Sequence, residues 1–117
     1  MPQYLTQVTY TQEAWQALVH NPQDRIEAVR PAIEKLGGKV VNAWFAFGDY
    51  DVVAVLEMPN NVAAAAIAIA FAAGGACRNV KTTPLLSTAE AVEAAKKAAT
   101  SGYRPLTAGA AAGTAAR

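Results

Sequence analysis

The sequence predicts an α+β domain in which a four-stranded antiparallel sheet carries helices on one face, with a further helix appended near the C-terminal end. Three observations carry that expectation. Strand-like and helix-like segments follow one another as strand, helix, strand, strand, helix, strand, and an Ala/Lys-rich helix comes after them. Two of the strands meet at Gly48-Asp49, a corner suited to a hairpin. Hydrophobic residues make up 53% of the 117 residues and charged residues 16%, which supplies one buried core and is far from the charge-rich profile of disorder.

The first strand is expected over residues 4–10, where Tyr4, Val8 and Tyr10 share one face of a segment rich in β-branched and aromatic side chains. Thr11 then opens a helix as its N-cap. Asn21-Pro22 interrupts that helix, and a second runs to Leu36 with Ile26, Val29, Ile33 and Leu36 on one core-facing stripe. Pro31 lies inside it and is expected to kink it, because it has no N–H to bond residue 27. Gly37-Gly38 closes the helix.

Residues 40–47 and 50–58 read as two strands of a hairpin. A two-residue Gly48-Asp49 loop suits a type II′ turn, since glycine accepts the positive φ that the turn requires. Phe47 then faces Tyr50 and the register follows. One face carries Val41, Ala43, Phe45 and Phe47 with Tyr50, Val52, Ala54, Leu56 and Met58, and is expected under the helices. The other carries Val40, Asn42, Trp44 and Ala46 with Asp51, Val53, Val55 and Glu57. That second face is too apolar to lie wholly in water.

Pro59-Asn60-Asn61 starts the next helix with Asn as cap, and residues 62–73 are almost entirely Ala, Ile and Phe, so this helix is expected buried against the sheet. Gly74-Gly75 ends it. A fourth strand follows over residues 76–86, with Pro84 marking a sheet edge or strand end. Ser87-Thr88-Ala89-Glu90 has the spacing of a capping box and leads a helix to about residue 99. The expected division is residues 1–86 as the main domain, 87–100 as the appended helix, and 101–117 as a mobile Ala/Gly-rich tail. Within that tail, residues 103–106 are a candidate contact for a neighbouring subunit.

This element order is the split β-α-β arrangement of the ferredoxin-like fold. Its helices cover one face only. Pairing two sheets back to back is the simplest cover for the other, so a homodimer or higher homo-oligomer is expected, with itself as the partner.

Composition narrows the function classes. Net charge is +1 and no basic stripe is concentrated on one segment, so nucleic acid is not the expected partner. The start, Met1-Pro2-Gln3-Tyr4, lacks a basic region followed by an apolar run, and the longest apolar stretch is shorter than the ~20 residues that cross a bilayer. No membrane association is expected, and the location expected is cytoplasmic. A single cysteine, Cys77, excludes an internal disulfide, and its plain reading is a small apolar residue beside a strand. No Cys/His/Asp cluster with ligand spacing appears, so neither a metal nor another cofactor is expected. Glycine pairs follow helices instead of preceding them, unlike a phosphate cradle.

Five residues are candidates for a ligand site: His20, Asn42, Trp44, Tyr50 and Asp51. Asp51 on the second sheet face offers an acid or base there. Trp44 and Asn42 share that face and bring an indole N–H and an amide beside Val53 and Val55, though interface packing is the readier explanation of a large aromatic. Tyr50 is more readily explained by pairing opposite Phe47. His20 ends a helix, where the dipole favours a cation. Glu57 reads as a rim residue or an inter-subunit ion-pair partner. No catalytic set is legible.

Residues 4–86 resemble the GYD-domain family of small bacterial proteins. The likeness rests on Asn21-Pro22-Gln23-Asp24-Arg25, on Leu36-Gly37-Gly38-Lys39-Val40, on Phe47-Gly48-Asp49-Tyr50-Asp51-Val52-Val53, and on the Ala-rich helix after Pro59. The resemblance implies a ferredoxin-like domain of the dimeric α/β-barrel kind and implies no reaction. Two functional expectations stand side by side: a homo-oligomeric small-molecule-binding or regulatory module without catalysis, and a cofactor-independent monooxygenase- or isomerase-like enzyme. The enzyme would act on a small lipophilic or aromatic molecule between sheet and helices.

Overall fold

Pairing of the strands sets the frame. The computed structural model describes residues 1–106. Strand β1 (Gln3–Tyr10) is followed by helices α1 (Gln12–His20) and α2 (Arg25–Lys35), the hairpin strands β2 (Lys39–Phe45) and β3 (Val52–Glu57), helix α3 (Asn61–Ala73), strand β4 (Cys77–Leu85) and helix α4 (Thr88–Ala98). The sheet order is β2-β3-β1-β4, antiparallel throughout. That is the ferredoxin-like topology, in which β3 and β4 flank β1. β4 lies at an edge, where Pro84 removes no ladder bond that the sheet needs.

Local chemistry explains the helix ends. Thr11 caps α1 through its side-chain oxygen, which accepts from Ala14 N–H at 3.1 Å. α2 starts later than Asn21-Pro22 implies, because the cap is Asp24, whose Oδ1 accepts from Ile26 and Glu27 N–H. Its other end is a Schellman motif, with Gly38 N–H bonding Ile33 O, Gly37 N–H bonding Glu34 O, and Gly37 at φ +88°. Pro31 lies inside α2 without ending it. Asn60 caps α3, accepting from Ala63 N–H at 2.9 Å.

The even-numbered residues of β1 and β3 face the helices. Tyr4, Ala54, Leu56 and Met58 form the core with Ile33 of α2 and Ala64 and Ile67 of α3. The Tyr4 hydroxyl donates to Asn61 Oδ1 at 2.6 Å, which satisfies the one polar atom this side chain brings to the core. Alanine on α3 lets that helix approach closely, yet Val62 and Ile69 on its outer side stay exposed. The expectation of a wholly buried helix is therefore too strong.

The hairpin keeps the expected register and changes two details. Phe45 pairs with Val52, Trp44 with Val53 and Ala43 with Ala54, but the pairing shifts between Val40 and Asn42. This bulge turns Val40 to the core beside Leu56 and leaves Val41 exposed, the reverse of the strict alternation. The turn is also wider than two residues. Ala46 N–H donates to Asp51 O at 2.8 Å, and the four residues 47–50 loop beyond that bond. Phe47 consequently extends past the helices and is 99% exposed. Gly48, at φ +146°, still supplies the backbone freedom the corner needs.

The stretch Met1–Leu85 is one compact unit, and the described residues from Leu86 to Leu106 belong to another. In the second, Ser87 Oγ accepts from Glu90 N–H at 3.0 Å while Ser87 N–H donates to Glu90 Oε1 at 2.9 Å, so the capping box forms. Tyr103 and Leu106 are exposed. The remainder of the predicted tail, residues 107–117, lies outside the described residues. Among the described residues no helix is long and apolar enough to cross a membrane.

Candidate functional site

A cavity of about 390 Å³ opens between the sheet and helices α1, α2 and α3. Its floor is the core face of the sheet, Thr6, Val8, Val52, Ala54 and Leu56. Its walls are Ala14, Ala17 and Leu18 of α1, Ile26 and Val29 of α2, and Ala70 and Phe71 of α3. The small side chains of α1 and α3 create this space, because alanine fills less of the gap than the leucines and isoleucines that usually close such a layer. Polar groups enter from Tyr10, Gln23, Arg25 and Cys77.

Tyr10 and Cys77 are opposite each other where the β1–β4 pairing shifts register. A bulge at a strand end re-aims the side chain it carries, and here Tyr10 lines the cavity. The Tyr10 ring meets the Trp15 ring edge-on, with centroids 5.4 Å apart at 89°. Its backbone N–H donates to Asp51 Oδ2 at 2.9 Å. Burial raises the Tyr10 hydroxyl above its ordinary pKa, with Cys77 and Asp51 adding and Arg25 opposing. Burial likewise raises the Cys77 thiol, against a lowering pull from Arg25. Arg25 thus acts on both groups. Its own Nη1 donates to Gln23 Oε1 at 3.1 Å.

The five residues singled out from the sequence lie elsewhere, and none lines this cavity. Asp51 is 8% exposed. Its carboxylate does not stand beside Trp44 as an open acid but accepts from Tyr10 N–H and, at 3.3 Å, from Trp15 Nε1. The physical reason is that Asp51 lies past the last ladder pair, where the two-residue alternation no longer dictates its direction. Trp44 is 51% exposed on the second face, and Asn42 spends its Oδ1 on the N–H of Ala43. Tyr50 is half-buried in the loop, and His20 is an exposed residue in the last turn of α1. Glu57 has partners within the chain: Gln3 Nε2 at 3.2 Å and Lys39 Nζ at 3.6 Å. Those partners, the Gln3 hydrogen bond foremost, hold its carboxyl below the usual range.

The loop motif and the cavity are connected. Asp51 N–H donates to Val8 O at 2.7 Å, Thr9 Oγ1 donates to Asp49 O at 2.9 Å, and Asp51 Oδ2 takes Tyr10 N–H. Three successive residues of β1 are therefore fastened by the Gly48-Asp49-Tyr50-Asp51 stretch. Gln23 and Arg25 fall within the Asn21-Pro22-Gln23-Asp24-Arg25 stretch that carries the family resemblance, but nothing in that stretch marks them as ligand groups, and Tyr10 and Cys77 belong to no motif. A physical signal is the arginine in the first turn of a helix, the end where the dipole disfavours a cation. Among the described residues no group of three or more His, Cys, Asp or Glu side chains is placed to hold a metal ion.

The architecture is a ferredoxin-like α+β domain with a ligand-sized space between its layers. The family model of the GYD domain matches residues 4–95, and the chain belongs to that family. No curated protein and no solved structure matches it.

Proposed function

We propose that this chain is a homo-oligomeric, non-catalytic module of the cytoplasm that binds a small lipophilic molecule between its sheet and helices. The carrying observation is the cavity itself. At the ~30 Å³ that a water molecule takes in the liquid, 390 Å³ accommodates about a dozen non-hydrogen atoms, within the range of small-molecule sites. Its walls are aliphatic and aromatic, with polar groups confined to a few positions, which is how such sites combine affinity with orientation.

Binding is favoured over catalysis by the state of the titratable groups. Tyr10 and Cys77 are both raised by burial, so at neutral pH both stay protonated. A protonated thiol is a poor nucleophile and a protonated phenol is no base. Self-association is supported by the second sheet face, where Trp44 is half exposed while α1, α2 and α3 occupy the other side.

Ligand-observed NMR against a panel of small aromatic and aliphatic compounds tests the proposal. Saturation transfer to several members is expected, and Ala17→Phe, which places a ring in the cavity from α1, is expected to abolish it. Absence of transfer to the wild-type protein, or transfer unchanged by Ala17→Phe, would count against a binding role for this cavity.

A further inference from the structure

Building on the cavity as a ligand site, we infer that its ligand is an acid: a small lipophilic carboxylate whose head lies against Arg25 and the Tyr10 hydroxyl while its apolar body fills the space toward Phe71 and Leu56. Arg25 is the first residue of α2, where the helix dipole favours negative charge. The rest of that end obeys the rule, with Asp24 as cap and Glu27 in the first turn. Helix stability therefore does not account for an arginine there.

Ion pairing within the chain does not account for it either. Among the described residues Arg30 is paired with Glu27 and Lys39 with Glu57, while Arg25 has no carboxylate partner. Its one hydrogen bond is to the neutral Gln23 amide. That bond uses Nη1 and orients the guanidinium, leaving most of its fork of donors for a second acceptor. A half-buried cation beside an apolar cavity is poorly solvated, and a carboxylate matches its planar geometry with two parallel hydrogen bonds.

Tyr10 supplies a further donor. Its hydroxyl makes no hydrogen bond to the described residues, whereas the ring is held by Trp15 and the backbone by Asp51. A side chain braced at both its ring and its backbone, with its polar tip unused at the cavity, is pre-organised to receive an acceptor. Asp51, the acid that acts on Tyr10, already engages Tyr10 N–H and Trp15 Nε1. It does not occupy the Arg25 position.

The probe pair is 4-phenylbutyrate and its uncharged amide, which differ in charge and hardly in shape. Calorimetric titration of the full chain at neutral pH and low salt is expected to show the acid binding more tightly by about tenfold to a hundredfold, the range of a hydrogen bond to a charged group. Arg25→Met is expected to bring the acid to the level of the amide and to change amide binding far less than acid binding, with unaltered helical circular dichroism as the check on folding. Tyr10→Phe is expected to weaken the acid selectively and by less. Equal binding of acid and amide to the wild-type protein, or a preference that survives Arg25→Met, would overturn the inference while leaving the cavity a binding site. Failure of both probes to bind would remove the cavity reading and this inference together.

Discussion

The Trp15 indole N–H donates to Asp51 Oδ2 at 3.3 Å, and the same oxygen accepts Tyr10 N–H at 2.9 Å. One carboxylate thus joins the β2–β3 loop to α1 and to the end of β1. It holds the Tyr10 backbone and is not among the residues that line the cavity. Asp51→Ala leaves two donors without their acceptor at a largely buried site, at a cost of about 2–4 kcal/mol. Thermal melts should show a drop of several degrees per kcal/mol in a domain of this size. Asp51→Asn keeps an acceptor oxygen and loses the charge, so about 1 kcal/mol is expected. An Asp51→Ala protein that melts with the wild type would refute the fastening role.

Two glycines separate crowding from backbone freedom. A Cβ on Gly38 would run into Met58 Sδ and the Glu57 carbonyl oxygen, whereas one on Gly48 would meet nothing within 4 Å. Met58 can shift only by disturbing the core it fills, and the Glu57 carbonyl belongs to β3. Gly38→Ala should therefore destabilise by about 1–3 kcal/mol. Gly48→Ala meets only the penalty of a φ that L side chains rarely adopt, about 1–3 kcal/mol. Urea midpoints of both variants against the wild type check the two losses. A Gly38→Ala protein as stable as the wild type would mean that Met58 and the Glu57 carbonyl do not crowd Gly38.

The elements whose signals are local were legible in the sequence. Ser87 and Glu90 form the capping box that their spacing implies, Gly37-Gly38 stops α2, and Phe45 opposite Val52 keeps the register that the Gly48-Asp49 corner implies, although residues 47–50 themselves loop without pairing. The bulge at Val40–Asn42 had no glycine or proline to announce it, so Val40 and Val41 exchanged faces. The site was the least legible part. Tyr10, Arg25 and Cys77 come from β1, α2 and β4, and only the folded sheet brings them to one cavity. Periodicity assigns a residue to a face, but it does not say that alanines on facing helices leave a void between them.

Cys77 gives a pH-dependent readout of that void. Burial raises its pKa and Arg25 lowers it, so the thiolate, the form that alkylates, appears only above the ordinary thiol value of about 8.5. The rate of alkylation by iodoacetamide should rise with pH through a midpoint above that of a free thiol. Arg25→Met removes the lowering charge and should move the midpoint higher still. A ligand in the cavity should slow the reaction at every pH. A midpoint at or below the free-thiol value would show that Cys77 is not held as described.

Trp44 tests the second sheet face. It pairs across from Val53 and is 51% exposed, a costly arrangement for an indole unless another surface covers it. If two copies pair through this face, the melting temperature rises with protein concentration, since association stabilises only the folded chain. Trp44→Glu places a charge at the same point on both sides of a two-fold contact, where like charges repel. Analytical ultracentrifugation at micromolar concentration should show a dimer or larger species for the wild type and a monomer for the variant, whose melting temperature no longer depends on concentration. The protomer itself should lose no more than about 1 kcal/mol, because the side chain is half exposed there. A wild-type protein that sediments as a monomer at every concentration would remove this face as a site of self-association and leave the cavity proposals standing.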